Sequence, residues 1–335
     1  MRAGLMSNKE ANILLALEGV SKFFPVRRGV IFKTRRGELK AVDNLTCHIR
    51  MGETLGLVGE SGCGKTTLGR LIMHLEEATH GTIRYGERDI THPSKAENRG
   101  LKKEMQMIFQ DPFGSLNPRM TAEDIIGQPL RIHRMTATRR EYRKRVAYLM
   151  EMVGLHPAMA DRYPHEFSGG QRQRIGIARA ISVNPRFIVC DEPVSALDVS
   201  IQAQIINLLE SLQQELGLTY LFIAHDLAVV RHISDRIAVM YLGSIVEVAN
   251  RSDLYARPMH PYTRALMSAV PIPDPEAEAR REPVEIRGEV PSLLNPPAGC
   301  KFHPRCPQAL SVCQQEAPLL IRQGDTDHWA ACHNP

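Results

Sequence analysis

One stretch decides most of what this chain can fold into: ETLGLVGESGCGKTTLGRLIMHL, from Glu53 to Leu75. Its start, Glu53 to Gly59, is a short apolar run ending in glycine and reads as a buried strand. Leu68, Leu71, Ile72 and Leu75 then recur at helical spacing. Between strand and helix, GESGCGKT (Gly59 to Thr66) fits G-x-x-x-x-G-K-[ST] in the context that pattern requires. Glycines let consecutive backbone N–H groups curl round phosphate oxygens. The positive end of the helix faces the same point. Lys65 adds a full charge for β- and γ-phosphates, and Thr66 a hydroxyl for Mg²⁺. By chance the pattern arises in about one chain in a hundred. A second element therefore has to support it.

FIVCDEP supplies that support. An apolar strand ending in Asp191 and Glu192 delivers two carboxylates where α/β sheets place their ligands. Asp191 is the expected Mg²⁺ ligand and Glu192 the expected general base for an attacking water. RFIVCDEP (Arg186 to Pro193) and TYLFIAHD (Thr219 to Asp226) read as buried parallel strands. SIQAQIINLLESLQQELG (Ser200 to Gly217) between them is an amphipathic helix with a glycine stop. The alternation predicts an α/β sheet covered on both faces. From Ser115 to Tyr163 the rhythm breaks, and TATRREYRKRVAYLMEMVGL predicts a helical insertion. After SIVEVA (Ser244 to Ala249) the alternation ends. Pro271 to Pro283 reads as a linker, with a cysteine-bearing tail beyond it.

At 335 residues the chain has room for two domains, or for one with an appendage. A net charge of +5 is modest. Its densest basic runs, Arg27 to Arg36 and Arg139 to Arg145, read as a solvated loop and a solvated helix face. No zinc-finger spacing or aromatic RNA-binding signature accompanies them, so no nucleic-acid partner is expected. The N-terminus lacks the apolar core of a secretory leader. No run approaches the ~18 apolar residues of a membrane span. The expectation is a cytosolic chain whose thiols stay reduced.

FSGGQRQR (Phe167 to Arg174) is a second glycine-rich helix start, fit for another anion. With it the chain resembles the ATP-binding-cassette ATPases, whose signature it matches closely. Gln110 in MIFQDP, Ser195 to Asp198 (SALD) and His225 in FIAHD fall at that family's other markers, in order. Phe24 falls where the family stacks an aromatic on adenine, with Phe23 next door as the alternative. The resemblance implies an α/β fold: an ABC-type P-loop NTPase core with a helical subdomain and a small Cys-rich C-terminal extension. It implies ATP contacts from Phe24, Gly59, Glu60, Ser61, Gly62, Cys63, Gly64, Lys65, Thr66, Thr67, Gln110 and Asp198. Mg²⁺ would be held by Thr66, Gln110 and Asp191. Glu192, His225 and Lys65 would be catalytic. Ser168, Gly169, Gly170 and Gln171 would contact the nucleotide of a partner cassette in a head-to-tail dimer.

FQDPFGSLNPRMT, RYPHEFSGGQRQRI, HPYTRALMSAVP and GEVPSLLNPPAGCKFHPRC narrow the resemblance to the ATP-binding subunits of dipeptide and oligopeptide importers. It is closest to the second of their two unlike ATPases and spans about Leu15 to Cys332. The implied domains are 13–257 (ATPase, helical subdomain about 115–182) and 258–335 (extension). The implied partners are a second, similar ATPase subunit, two multispanning permeases and an extracytoplasmic solute-binding protein. The implied place is the cytoplasmic face of the inner membrane. Relatives importing nickel or glutathione, and soluble cassettes acting on DNA or ribosomes, are the alternatives.

Four of the seven cysteines lie in the tail, spaced Cys300-x5-Cys306-x6-Cys313-x18-Cys332. That is looser than the close pairs of zinc ribbons. Four thiolates in irregular loops suit a [4Fe–4S] cluster, which some peptide-importer ATPases carry in a similar extension. Zn²⁺ and plain packing remain the alternatives, with His303, His328 and His333 nearby. Cys47 and Cys190 read as small packed hydrophobes. Cys63, inside the phosphate loop, is expected to make the protein sensitive to thiol reagents.

Overall fold

The structure, a computed structural model, describes residues 12–28, 34–111, 114–269, 286 and 288–335. Within these limits the chain forms two compact units. The first takes in the chain to Arg50, Leu55–His92 and His225–Pro335; the second holds Met51–Thr54 and Pro93–Ala224.

The first unit opens with β1 (Ile13–Arg28) and β2 (Thr34–Arg50), paired antiparallel with Leu15 opposite Ile49 and Leu17 opposite Cys47. Half of the basic run from Arg27 to Arg36, residues 29–33, lies outside the described residues. β3 (Thr54–Val58) is buried throughout and leads into α1 (Lys65–Ile72), the strand, loop and helix expected from the glycine motif. The helix ends one turn before Leu75. β4 (His80–Tyr85) pairs with β1, and β5 (Arg88–Asp89) with β4, giving a four-stranded antiparallel sheet in the order β2-β1-β4-β5. Sequence periodicity did not predict this sheet.

The second unit begins with α2 (Lys95–Glu104), whose start is closed by a reciprocal Ser94–Glu97 capping box. β6 (Met105–Ile108) follows. Next come three helices, α3 (Ala122–Ile132), α4 (Arg139–Met152) and α5 (Gly169–Ile181), with no strand among the described residues between them. The helices expected from this stretch are thus observed. In α4, Tyr142, Val146, Leu149 and Met150 form the buried stripe while Arg139, Arg140 and Arg143 are exposed, as a solvated basic face requires. β7 (Phe187–Asp191), α6 (Val199–Leu216) and β8 (Thr219–Ile223) complete the unit. β6, β7 and β8 are parallel. Every residue of β7 and β8 is buried, which is why both read as unbroken apolar runs. α6 stops at Gly217, as expected.

The chain then returns to the first unit through α7 (Leu227–Ile233) and β9 (Arg236–Tyr241), which runs parallel to β3. β10 (Ser244–Asn250) turns back antiparallel to β9. After α8 (Arg251–Ala256) and α9 (Pro261–Ser268), the expected linker at Pro271–Pro283 lies outside the described residues. The last strands, β11 (Ile321–Arg322) and β12 (Trp329–Ala330), are two residues each. β12 pairs with β10, Glu247 opposite Ala330, so the tail adds strands to the sheet that carries β3.

A buried carboxylate fastens this arrangement. Glu247 of β10 is fully buried and accepts from the backbone N–H groups of Met259 (2.7 Å) and His260 (2.9 Å). His328 Nε2 stands 2.6 Å from the same carboxylate. An acid so deeply buried needs such partners to offset its desolvation. No described helix is long and apolar enough to cross a membrane.

Candidate functional site

The phosphate loop is shaped by what surrounds it. At Gly59 (φ 155°) a Cβ would lie 2.2 Å from the Met240 carbonyl, and at Gly64 (φ 109°) 2.1 Å from that of Ala41. Backbone from β2 and β9 thus presses on the loop from outside, and only glycine leaves room. Gly64 is also the N-cap of α1 and supplies no side-chain cap. The first-turn N–H groups of a helix have no partner within it, which makes them donors for an anion.

Lys65 is buried, its ammonium donating to the carbonyls of Gly59 (2.7 Å) and Glu60 (3.0 Å). The loop's own backbone holds this cation in place. Glu60, expected to face the phosphates, is committed elsewhere. Its N–H donates to Tyr262 Oη (2.9 Å), and Arg305 Nη1 donates to both its carboxylate oxygens (3.1 and 2.9 Å). Cys63 is 4% exposed, and its carbonyl accepts from Gly243 N–H at 2.9 Å. Burial pushes its thiol up, against the pull of Lys65. The expected sensitivity to thiol reagents is therefore corrected: the thiolate that would react is disfavoured and shielded. Ser61 and Gly62 are exposed at the loop tip, and Thr66 and Thr67 are half-buried on α1.

The two aromatics beside each other on β1 differ in surroundings. Phe24 is half-buried with the Lys22 ammonium 4.8 Å over its ring. Phe23 meets His80 edge-on at 5.9 Å and lies under Lys40 at 5.5 Å. His225 is exposed just ahead of α7, which Asp226 caps through Ala228 N–H at 2.8 Å.

In the second unit, Asp191 is buried at the end of β7. Glu192 follows with φ 47°, a left-handed conformation that costs a non-glycine residue of order 1–3 kcal/mol. Its N–H donates to the Ile223 carbonyl (2.9 Å), which holds it at the strand end. Gln110 Nε2 donates to Glu192 Oε2 at 2.9 Å, so these two predicted residues are brought together. That contact leaves the Gln110 amide oxygen for another partner. Ser168 caps α5: its hydroxyl accepts from Gln171 N–H (3.3 Å), while Gln171 Oε1 accepts from Ser168 N–H (3.0 Å). The Ser-Gly-Gly-Gln stretch is thus a capping box that presents two glycines on the first turn. Asp198 is the N-cap of α6, bonded through its carbonyl to Ile201 and Gln202.

The tail cysteines are unpaired, and Cys300 N–H donates to the Cys313 carbonyl at 2.8 Å. Burial, helped by the nearby Cys313, Cys332 and Cys306 thiols, pushes Cys300 up to about 11. Burial raises Cys306 and Cys332 as well. The four thiols therefore share one neighbourhood. Even so, among the described residues no three His, Cys, Asp or Glu side chains are arranged to hold a metal ion. The nearby histidines have other partners: His303 with the Cys300 carbonyl, His328 with Glu247, His333 with the Glu316 carbonyl. Cys190 is fully buried in β7, as expected, whereas Cys47 is only half-buried on β2.

Sequence reasoning missed Tyr262, Arg305 and Glu247. HPYT carries a signal only as part of the family resemblance. Nothing in its local pattern links it to a loop two hundred residues earlier.

Known proteins resemble the chain along nearly its whole length. The family model for "ABC transporter" matches residues 42–195, and that for "Oligopeptide/dipeptide transporter, C-terminal region" matches residues 246–313. The chain is 52% identical to the oligopeptide transport ATP-binding protein AppF of Bacillus subtilis (strain 168), over 98% of this chain and 99% of AppF. It is 51% identical to the oligopeptide transport ATP-binding protein OppF of Salmonella typhimurium, over 97% of each. Among solved structures it resembles the ATP-binding cassette MJ0796, a post-hydrolysis dimer bound to ADP and Pi. The TM-score there is 0.63 at 29% identity, over 71% of this chain and 98% of that one.

Proposed function

Since the chain belongs to the ABC transporter family, and within it to the oligopeptide transport ATP-binding proteins, we propose that it hydrolyses ATP to energise import of di- and oligopeptides. One observation carries peptide import over other cassette functions: residues 246–313 match the oligopeptide/dipeptide transporter C-terminal region. Import of nickel or glutathione by a related system is the remaining reading.

The residues divide the work. Lys65 and the first-turn amides of α1 take the β- and γ-phosphates. Phe24 supports the adenine. Thr66, Gln110 and Asp191 offer Mg²⁺ a hydroxyl, an amide oxygen and a carboxylate, the hard oxygen donors it favours. Bound there, Mg²⁺ would neutralise charge on the transferring phosphate. Glu192 takes the proton of the attacking water, oriented by Gln110, and His225 supports the γ-phosphate. The capping box at Ser168 and Gln171 fixes the helix start that Gly169 and Gly170 offer to a partner's nucleotide.

On this reading 13–257 is the ATPase and 258–335 the importer-type extension. The chain works with a second, similar ATPase, two multispanning permeases and an extracytoplasmic binding protein. It sits at the cytoplasmic face of the inner membrane, and the segment from Gln110 to Arg119 meets a permease helix. The spacing of the four tail cysteines keeps a [4Fe–4S] cluster, with Zn²⁺ the alternative, as a reading to test, although their side chains are not arranged to hold a metal ion here. What supports the reading is the cysteine spacing, together with the backbone bond that joins Cys300 to Cys313. Each raised thiol must lose its proton to bind, so loading should improve with pH. Iron and acid-labile sulfide in anaerobically purified protein would bear the cluster out; zinc alone would replace it.

The test of the main reading is reconstitution with the permeases and binding protein in vesicles. Peptide-stimulated ATP hydrolysis is expected, and stimulation by nickel or glutathione instead would change the substrate. In the same assay Glu192→Gln should bind ATP normally, with phosphate release reduced about 10²–10⁴-fold. Near-normal turnover would remove Glu192 from the role of base.

A further inference from the structure

The phosphate loop is braced by residues far along the chain. Arg305, 9% exposed, brackets the Glu60 carboxylate with one nitrogen, at 3.1 and 2.9 Å. Tyr262, fully buried on α9, accepts the Glu60 N–H at 2.9 Å. Phe302 fills the space between: it is 1% exposed, edge-on to Tyr241 at 5.2 Å and tilted on Tyr262 at 5.5 Å. Lys301 secures the neighbouring turn, donating to the Leu242 carbonyl and Ser244 Oγ, both at 2.8 Å, and pairing with Asp43 at 2.9 Å. That turn in turn donates Gly243 N–H to the Cys63 carbonyl.

From this geometry we infer that Arg305 and Tyr262 are positioning residues for ATP, acting through Glu60 on the phosphate loop. Two physical effects run along that path. The first is geometric. Lys65 rests on the Glu60 carbonyl at 3.0 Å, so whatever fixes Glu60 also fixes the cation meant for the phosphates. The second is electrostatic. An uncompensated carboxylate in the loop would repel a polyanionic nucleotide, and in a half-buried setting that repulsion is poorly screened. Arg305 cancels that charge while its bracket fixes the direction of the carboxylate. A purely structural ion pair would stabilise the fold without touching nucleotide affinity, and this is where the two roles part.

The inference rests on the assignment of ATP to this loop, and one experiment separates the two. The full-length chain is titrated with mant-ATP and Mg²⁺, and its unfolding is followed without nucleotide. Wild type that fails to bind mant-ATP overturns both the assignment and the inference. With wild type binding, Arg305→Gln should weaken mant-ATP about tenfold, the scale of one charge-assisted hydrogen bond. In the reconstituted transporter the ATP KM should rise more than kcat falls. The double variant Glu60→Gln/Arg305→Gln should recover part of the affinity, because the unpaired charge is gone. Arg305→Lys, which keeps the charge but shortens the reach and removes the planar guanidinium, should fall between, and it serves if Arg305→Gln does not fold. Unchanged mant-ATP affinity in Arg305→Gln or Arg305→Lys, with only a lowered melting temperature, would overturn the inference.

Discussion

At Gly64 the phosphate loop leaves no room for a methyl group. The Ala41 carbonyl would stand 2.1 Å from it, and φ is 109°. Backbone cannot retreat as a flexible side chain can, so Gly64→Ala should cost about 1–3 kcal/mol of stability. It should also abolish mant-ATP binding. Urea unfolding and nucleotide titration on one preparation check both. The need for glycine here was legible because the motif is local: strand, glycines, lysine and helix lie within some twenty residues. Gln110 and Glu192 were each legible from their own short contexts, and their hydrogen bond follows from neighbouring parallel strands. Arg305 and Tyr262 were not legible. They reach Glu60 across 245 and 202 residues of sequence, and no periodicity in one strand or helix encodes a contact that distant.

Elements were legible where burial is one-sided or complete. β7 and β8 are buried on both faces and therefore read as continuous apolar runs; α6 is buried on one stripe and reads at helical period. The antiparallel pair β1 and β2 escaped because repeated register shifts, as between Leu17 and Val20 and between Lys22 and Phe23, interrupt its alternation. A bulge flips the faces, so no window keeps period two. α5 makes a separate test of element against function. Ser168→Ala removes one half of its capping box and should cost about 1 kcal/mol. Circular dichroism melts measure that. Ser168→Thr, which keeps the hydroxyl, should restore stability, and it gives a folded background on which to measure ATP hydrolysis.

Across the molecule as a whole, acid should act through buried histidines. His260 caps α9 by accepting the Tyr262 N–H on Nδ1 at 3.1 Å, a role open only to an unprotonated nitrogen. Burial, helped by Arg264 and opposed by Glu247, lowers it from 6.5 to about 4. Above pH 6.5 both folded and unfolded chains hold it neutral. Between pH 6.5 and 4 the unfolded chain takes a proton that the folded one refuses, and stability falls. The loss is on the order of 3 kcal/mol across that window. His48, lowered to about 4 by burial, Arg236 and Arg50, adds a loss of the same sign. Denaturant unfolding at stepped pH should show the decline, and His260→Asn, which retains an acceptor for the cap, should flatten it.

The short strands at the end of the tail bear on how many copies can share a solution. Trp329 and Ala330 occupy the edge of β10 at Val248 and Glu247, where backbone amides and carbonyls would otherwise stand open to any passing strand. The sheet then ends on β11, two residues long, which leaves little backbone for a stranger to extend.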